Sequence, residues 1–241
     1  TLTRIPLFSW SMLVAASVWI LSLPVLGANL LLIYLDHRYG QQLFGVDADV
    51  WSQVVWAFHQ PQIYAVAIPA LGIVGEIFPV ASATRPRHRE GALAVIGAFG
   101  VLSFGAWAQP FFNADARDDI LYIAMALAAV LPVLAILSLA ADSARTKRPT
   151  LSGPFVLAGV ALLVLVGATF AGAVLVIEPL HLVDSSFASG QMNLTLLAAL
   201  TAGLAGLWYW LPKISGARAG DGAGILAGLA LLAGAALVAL G

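Results

Sequence analysis

Seven apolar stretches, each long enough to cross about 30 Å of hydrocarbon, occupy most of this chain and leave little else to fold. They run Ile5–Tyr34, Val50–Ala81, Gly91–Phe112, Asp119–Ala141, Pro154–Ile177, Ala188–Leu211 and Gly222–Gly241. In lipid, every backbone N–H and C=O has to find its partner inside the segment, so spans of this kind are helices. The sequence therefore predicts an all-α protein: a polytopic membrane helix bundle of about seven transmembrane helices. With 61% apolar and 10% charged residues in a chain of 241, no large soluble domain is left over. Short polar loops such as Asp36–Asp49, Ser82–Glu90 and Asp142–Ser152 join the spans, with no internal repeat and no linker. Residues 1–241 are thus expected to form a single membrane domain. Pro61, Pro69 and Pro79 predict kinks in the second span. Gly203 with Gly206, and the glycines from Gly220 to Gly234, predict close helix packing.

Charge predicts the orientation. The N-terminus and the loops after the second, fourth and sixth spans carry Arg4, Arg85, Arg87, Arg89, Arg145, Lys147, Arg148, Lys213 and Arg218; the other loops carry only Arg38 and Arg117. Nine basic residues against two is a positive-inside bias that puts the N-terminus in the cytoplasm. The opposite loops are acidic, with Asp36, Asp47, Asp49, Asp115, Asp118, Asp119, Glu178 and Asp184. Such a face attracts a basic partner such as a soluble cytochrome, although a solvated loop surface explains the same charges without one. The net charge of −1 offers no footprint for a nucleic acid. The absence of Cys rules out disulfides, thiolate metal sites and cysteine nucleophiles. No glycine-rich phosphate loop and no Ser/His/Asp constellation is present. The chain begins at Thr1 and is expected to be part of a longer one.

Several short motifs follow one another in a fixed order. They are Arg4-Ile5-Pro6-Leu7-Phe8-Ser9-Trp10-Ser11, then Leu21-Ser22-Leu23-Pro24-Val25-Leu26, then Trp56-Ala57-Phe58-His59-Gln60-Pro61-Gln62-Ile63-Tyr64 with Ile68-Pro69-Ala70-Leu71-Gly72-Ile73. Further on come Trp107-Ala108-Gln109-Pro110-Phe111-Phe112 and Trp208-Tyr209-Trp210-Leu211-Pro212-Lys213-Ile214-Ser215-Gly216. In this order and at these spacings the chain resembles subunit I of the haem-copper oxidases, the cytochrome c oxidase family. The third motif is similar to W-F-F-G-H-P-E-V-Y, the Trp107 motif to W-A-H-H-M-F, and the last to Y-Y-W-F-P-K-I-T-G. The resemblance implies helices five to eleven of a twelve-helix subunit. It also implies a place in the aerobic respiratory chain of a bacterial plasma membrane, beside other oxidase subunits. There electrons pass from cytochrome c or quinol to oxygen, coupled to proton movement.

The frame matches where the family's ligands do not. Taken at face value, the family would bring haem and copper, held mainly by imidazoles. The resemblance places Gln60, Gln109 and Pro110 at the three copper histidines, and Gly190 and Met192 at the haem-ligand histidines. A Gln amide is a poor copper ligand and Pro and Gly have no donor side chain; Met192 has a thioether able to bind haem iron. The family's proton-carrying Glu corresponds to Gln62 and its eighth-helix Lys to Ile136. Tyr64 alone keeps a position that takes part in the oxygen chemistry. No cofactor is therefore expected in this chain. His59 lies one residue before the ligand position, turned away by about 100° on a regular helix. His181 lies near the family's non-redox metal pair, and His37 and His88 sit among loop charges. Glu76 is a carboxylate inside a span, which marks a candidate functional site, but near enough to its end to reach water or Arg85. Three readings follow: an oxidase-like subunit without its metal centre, an active oxidase with altered ligands, or a proton- or ion-conducting bundle built around Glu76.

Overall fold

In the computed structural model the described residues are 4–40, 48–85, 88–103, 120–177, 180, 182, 185–216 and 220–240. They form eight helical segments: α1 (Leu7–Tyr39), α2 (Ala48–Ala81), α3 (Arg89–Leu102), α4 (Ile120–Ala128), α5 (Val130–Thr146), α6 (Gly153–Leu175), α7 (Ser186–Ser215) and α8 (Asp221–Leu240). No strand occurs among the described residues. Six helical stretches are long and apolar enough to cross a membrane, the rod from Ile123 to Thr146 counting as one. The chain is an integral membrane protein of helical-bundle class.

The fourth predicted span is one rod with a break at Ala129. Pro132 has no N–H to give to the carbonyl of Ala128, and the helix resumes at Val130 after a single turn residue. The third predicted span is described only as α3, and its second half lies outside the described residues. α1 and α5 run about a turn past their apolar stretches, to Tyr39 and Thr146, because a helix continues while its own hydrogen bonds are satisfied. α1 ends at Gly40 (φ 61°), whose N–H bonds the carbonyl of Asp36, and α7 ends the same way at Gly216 (φ 72°) on Pro212.

α2 is the central helix, packed by α1, α3, α5, α6 and α7. Of its most apolar window 72% is buried, against 11% for α1 and 17% for α8. Hydrophobicity is spread all round these helices, so apolar pattern does not choose the contact face; size does. α7 offers Thr195, Ala198, Ala202 and Ala205 at spacings of three and four, all buried, and the larger Ile68, Leu71, Leu157, Leu162 and Leu165 of α2 and α6 complete the core. Trp19, Ile20, Leu30 and Leu31 of α1 point outward, as a lipid-facing surface requires. Pro61, Pro69 and Pro79 all lie within an unbroken α2.

The glycines divide. A Cβ on Gly206 would meet the Trp210 ring, one on Gly224 would lie 2.7 Å from the Gly153 Cα, and one on Gly228 would lie 3.2 Å from Val156. At Gly203, Gly220, Gly222 and Gly234 a Cβ meets nothing within 4 Å, so the close packing expected of Gly203 is not there.

The helices alternate in direction when α4 and α5 count as one rod, and one end of the bundle is tied by specific contacts. Phe8 of α1 packs its ring, tilted by 42°, against Trp210 of α7 with centroids 4.8 Å apart. Thr150 donates its N–H to the carbonyl of Ala81 at 3.0 Å, and Asp221 of α8 accepts the Gly153 N–H of α6 at 2.8 Å. Arg4, Arg85, Arg89, Arg145, Lys147, Arg148 and Lys213 all fall at this end.

Candidate functional site

Gln60 and Tyr64 are one helical turn apart on α2 and share a face. Together with Thr169 and Gly172 of α6 and Gln191 and Thr195 of α7 they line a cavity of about 20 Å³, room for a single water. Phe99 and Ala129 close it from α3 and from the break after α4. Tyr64 is buried, its ring tilted against Phe99 at 5.0 Å. Thr169 and Thr195 donate their hydroxyl protons to the carbonyls of Leu165 and Gln191 in their own helices, at 2.7 and 2.8 Å. Their oxygens remain acceptors for whatever occupies the cavity. Gln191 fills the space a side chain at position 172 would need: a Cβ on Gly172 would run into its amide.

Gln62, two residues along from Gln60, turns to the other side of α2 and donates its amide to Ser22 Oγ of α1 at 3.0 Å, buried. Met192 packs against the hydrophobic core, half-buried. Gly190 has no neighbour within 4 Å of where a Cβ would stand. Ile136 is fully buried on α5, facing a second and larger cavity at the basic end. His59 lies within α2 but its side chain is not among the described ones; Gln109, Pro110 and His181 lie outside the described residues.

Glu76, on α2, reaches the start of α1. Its Oε1 accepts the backbone N–H of Phe8 at 3.0 Å, in the first turn. A helix N-terminus has unpaired N–H groups and a positive dipole end, and a carboxylate satisfies both. Arg89 of α3 braces the residues just before, donating to the carbonyls of Arg4 and Ile5 at 3.2 and 2.5 Å. Asp221 repeats the device at the start of α6, where Ser152 makes no side-chain cap.

The family model for cytochrome c and quinol oxidase polypeptide I matches residues 1–241. The chain belongs to the cytochrome c and quinol oxidase polypeptide I family. It is 28% identical over 223 residues to cytochrome c oxidase polypeptide 1 of Halobacterium salinarum, covering 87% of this chain and 37% of that protein. It is 27% identical over 222 residues to cytochrome c oxidase subunit 1 of Corynebacterium glutamicum, covering 90% of this chain and 38% of the relative. The chain thus spans less than two fifths of the length of these relatives, and corresponds to a C-terminal part of subunit I.

The haem-copper oxidase family uses haem and copper, and the donors described around Gln60 do not suit copper. The polar side chains among the cavity's described lining are the amides of Gln60 and Gln191, the phenol of Tyr64 and the hydroxyls of Thr169 and Thr195, whereas copper in such sites calls for imidazole. Among the described residues, no three His, Cys, Asp or Glu side chains come together as a metal site. Gln191, Thr169 and Thr195 did not stand out from the sequence. The signal was there: Gln191 and Thr195 are polar positions one turn apart in an apolar span, the same spacing as Gln60 and Tyr64.

Proposed function

We propose that this member of the oxidase subunit I family is an oxidase-like membrane subunit that keeps the helical scaffold and does not reduce oxygen itself. The replacement at Gln60 carries the proposal. It stands at the copper-ligand position and opens onto a cavity with room for a single water and neutral oxygen donors. Gln109 and Pro110 support the same reading from the sequence: an amide and a ring without a donor cannot bind copper as two imidazoles do. Gln62 and Ile136 extend it to the proton paths, since neither side chain ionises.

On this reading the chain contributes structure to a respiratory assembly in a bacterial plasma membrane. Its partners are the lipid bilayer, other oxidase subunits, and a soluble cytochrome at the acidic end opposite Arg4. The end carrying the N-terminus faces the cytoplasm.

The test is a reduced-minus-oxidised optical spectrum with copper analysis of the purified protein. The expected result is no haem band and no copper. Haem bands with stoichiometric copper would overturn the proposal and make the protein an active oxidase with altered ligands.

A further inference from the structure

A second cavity, about 400 Å³ in volume, opens at the basic end of the bundle between the start of α1, the end of α2, the start of α3 and the end of α5. Its size is in the range of sites that hold a small organic ligand. Its charged lining is lopsided: among the described residues Arg85, His88, Arg89 and Lys147 stand against a single acid, Asp142. Arg85, His88 and Lys147 are exposed at the rim. Arg89 is half-buried and lines the same cavity, with its Nη2 donating to the carbonyls of Arg4 and Ile5.

The floor has the opposite character. Leu7, Phe78, Ile136 and Leu139 present hydrocarbon below the charged rim. Four helix ends meet here, three of them belonging to stretches long and apolar enough to cross a membrane. The cavity therefore lies where hydrocarbon gives way to water. Cations above and hydrocarbon below match a molecule with an anionic head and an apolar tail.

We propose that this cavity is a binding site for an anionic phospholipid. Arg85 and Lys147 engage the phosphate, and the acyl chains run over Leu7, Phe78 and Leu139. A basic pocket between membrane helices at the interface is the chemistry that recognises such headgroups. The lipid joins the ends of α1, α2, α3 and α5, and its binding does not depend on whether the protein carries a metal centre.

Native mass spectrometry of the detergent-purified protein titrated with phosphatidylglycerol, and in parallel with phosphatidylcholine, tests this. Phosphatidylglycerol is expected to bind preferentially. The double variant Arg85→Gln/Lys147→Gln changes exposed side chains only, and should weaken that binding by about tenfold with phosphatidylcholine unaffected. Asp142→Asn removes the opposing charge and should strengthen it several-fold. Equal binding of the two lipids, or no response to any of these substitutions, would overturn the proposal in favour of general lipid coating. Inorganic phosphate binding as well as phosphatidylglycerol, and displacing it, would overturn it in favour of a free-phosphate site.

Discussion

A carboxylate inside a membrane span is expensive unless something positive faces it. Glu76 meets the N-terminus of α1, with its Oε1 on the Phe8 N–H. That contact gives the residue a structural role whatever else it does, and it makes a prediction at the scale of one side chain. Glu76→Ala leaves N–H groups of the first turn unpaired and removes a charge from the dipole end, and should cost about 1–2 kcal/mol. Glu76→Gln keeps an acceptor and should cost about half as much. Thermal unfolding in detergent measures both; equal and negligible losses would mean that the Phe8 contact contributes nothing. The sequence exposed Glu76 as an intramembrane acid but not its partner, because Phe8 is 68 residues away in the chain. The same limit hid Gln191. Its importance comes from facing Gln60 and Gly172 across three helices, and nothing in the apolar run around it records that meeting.

At the scale of elements, spans were legible and their contacts were not. Twenty or so apolar residues between polar loops announce a membrane helix by length alone, so every predicted span has a helix in the structure. Which face of each helix turns inward was hidden, because lipid and protein core are equally apolar and hydrophobic period carries no information. Size remained as the signal, and it is ambiguous: Gly203 and Gly224 look alike in the sequence, yet only Gly224 touches another backbone. Between α6 and α8, Gly224 lies against Gly153, and the neighbouring Asp221 accepts the Gly153 N–H. Gly224→Val should push α8 away and cost about 1–3 kcal/mol, while Gly203→Val should change stability far less, since no atom lies within 4 Å. Denaturant unfolding of the two variants in the same detergent compares them. Equal losses would place α8 differently from the structure.

For the molecule as a whole, the course of the helices gathers seven of the described basic residues, Arg4, Arg85, Arg89, Arg145, Lys147, Arg148 and Lys213, at one end. Glu76, Asp221 and Arg89 hold that basic end together through helix termini. It also carries the larger cavity, whereas Gln60 and Tyr64 lie at the smaller one. A lipid headgroup layer and a cytoplasmic surface both favour cations there, so orientation decides which solvent the cavity meets. Because the chain contains no Cys, single introduced thiols report orientation without background. Arg148 and Arg38 are exposed at opposite ends of the bundle. In intact cells a membrane-impermeant maleimide should label the Arg38→Cys variant at once and the Arg148→Cys variant only after permeabilisation. The reverse pattern would turn the bundle over. It would set the basic cavity against the outer leaflet, where the positive-inside force that aligns Arg85, Lys147 and Arg148 does not act.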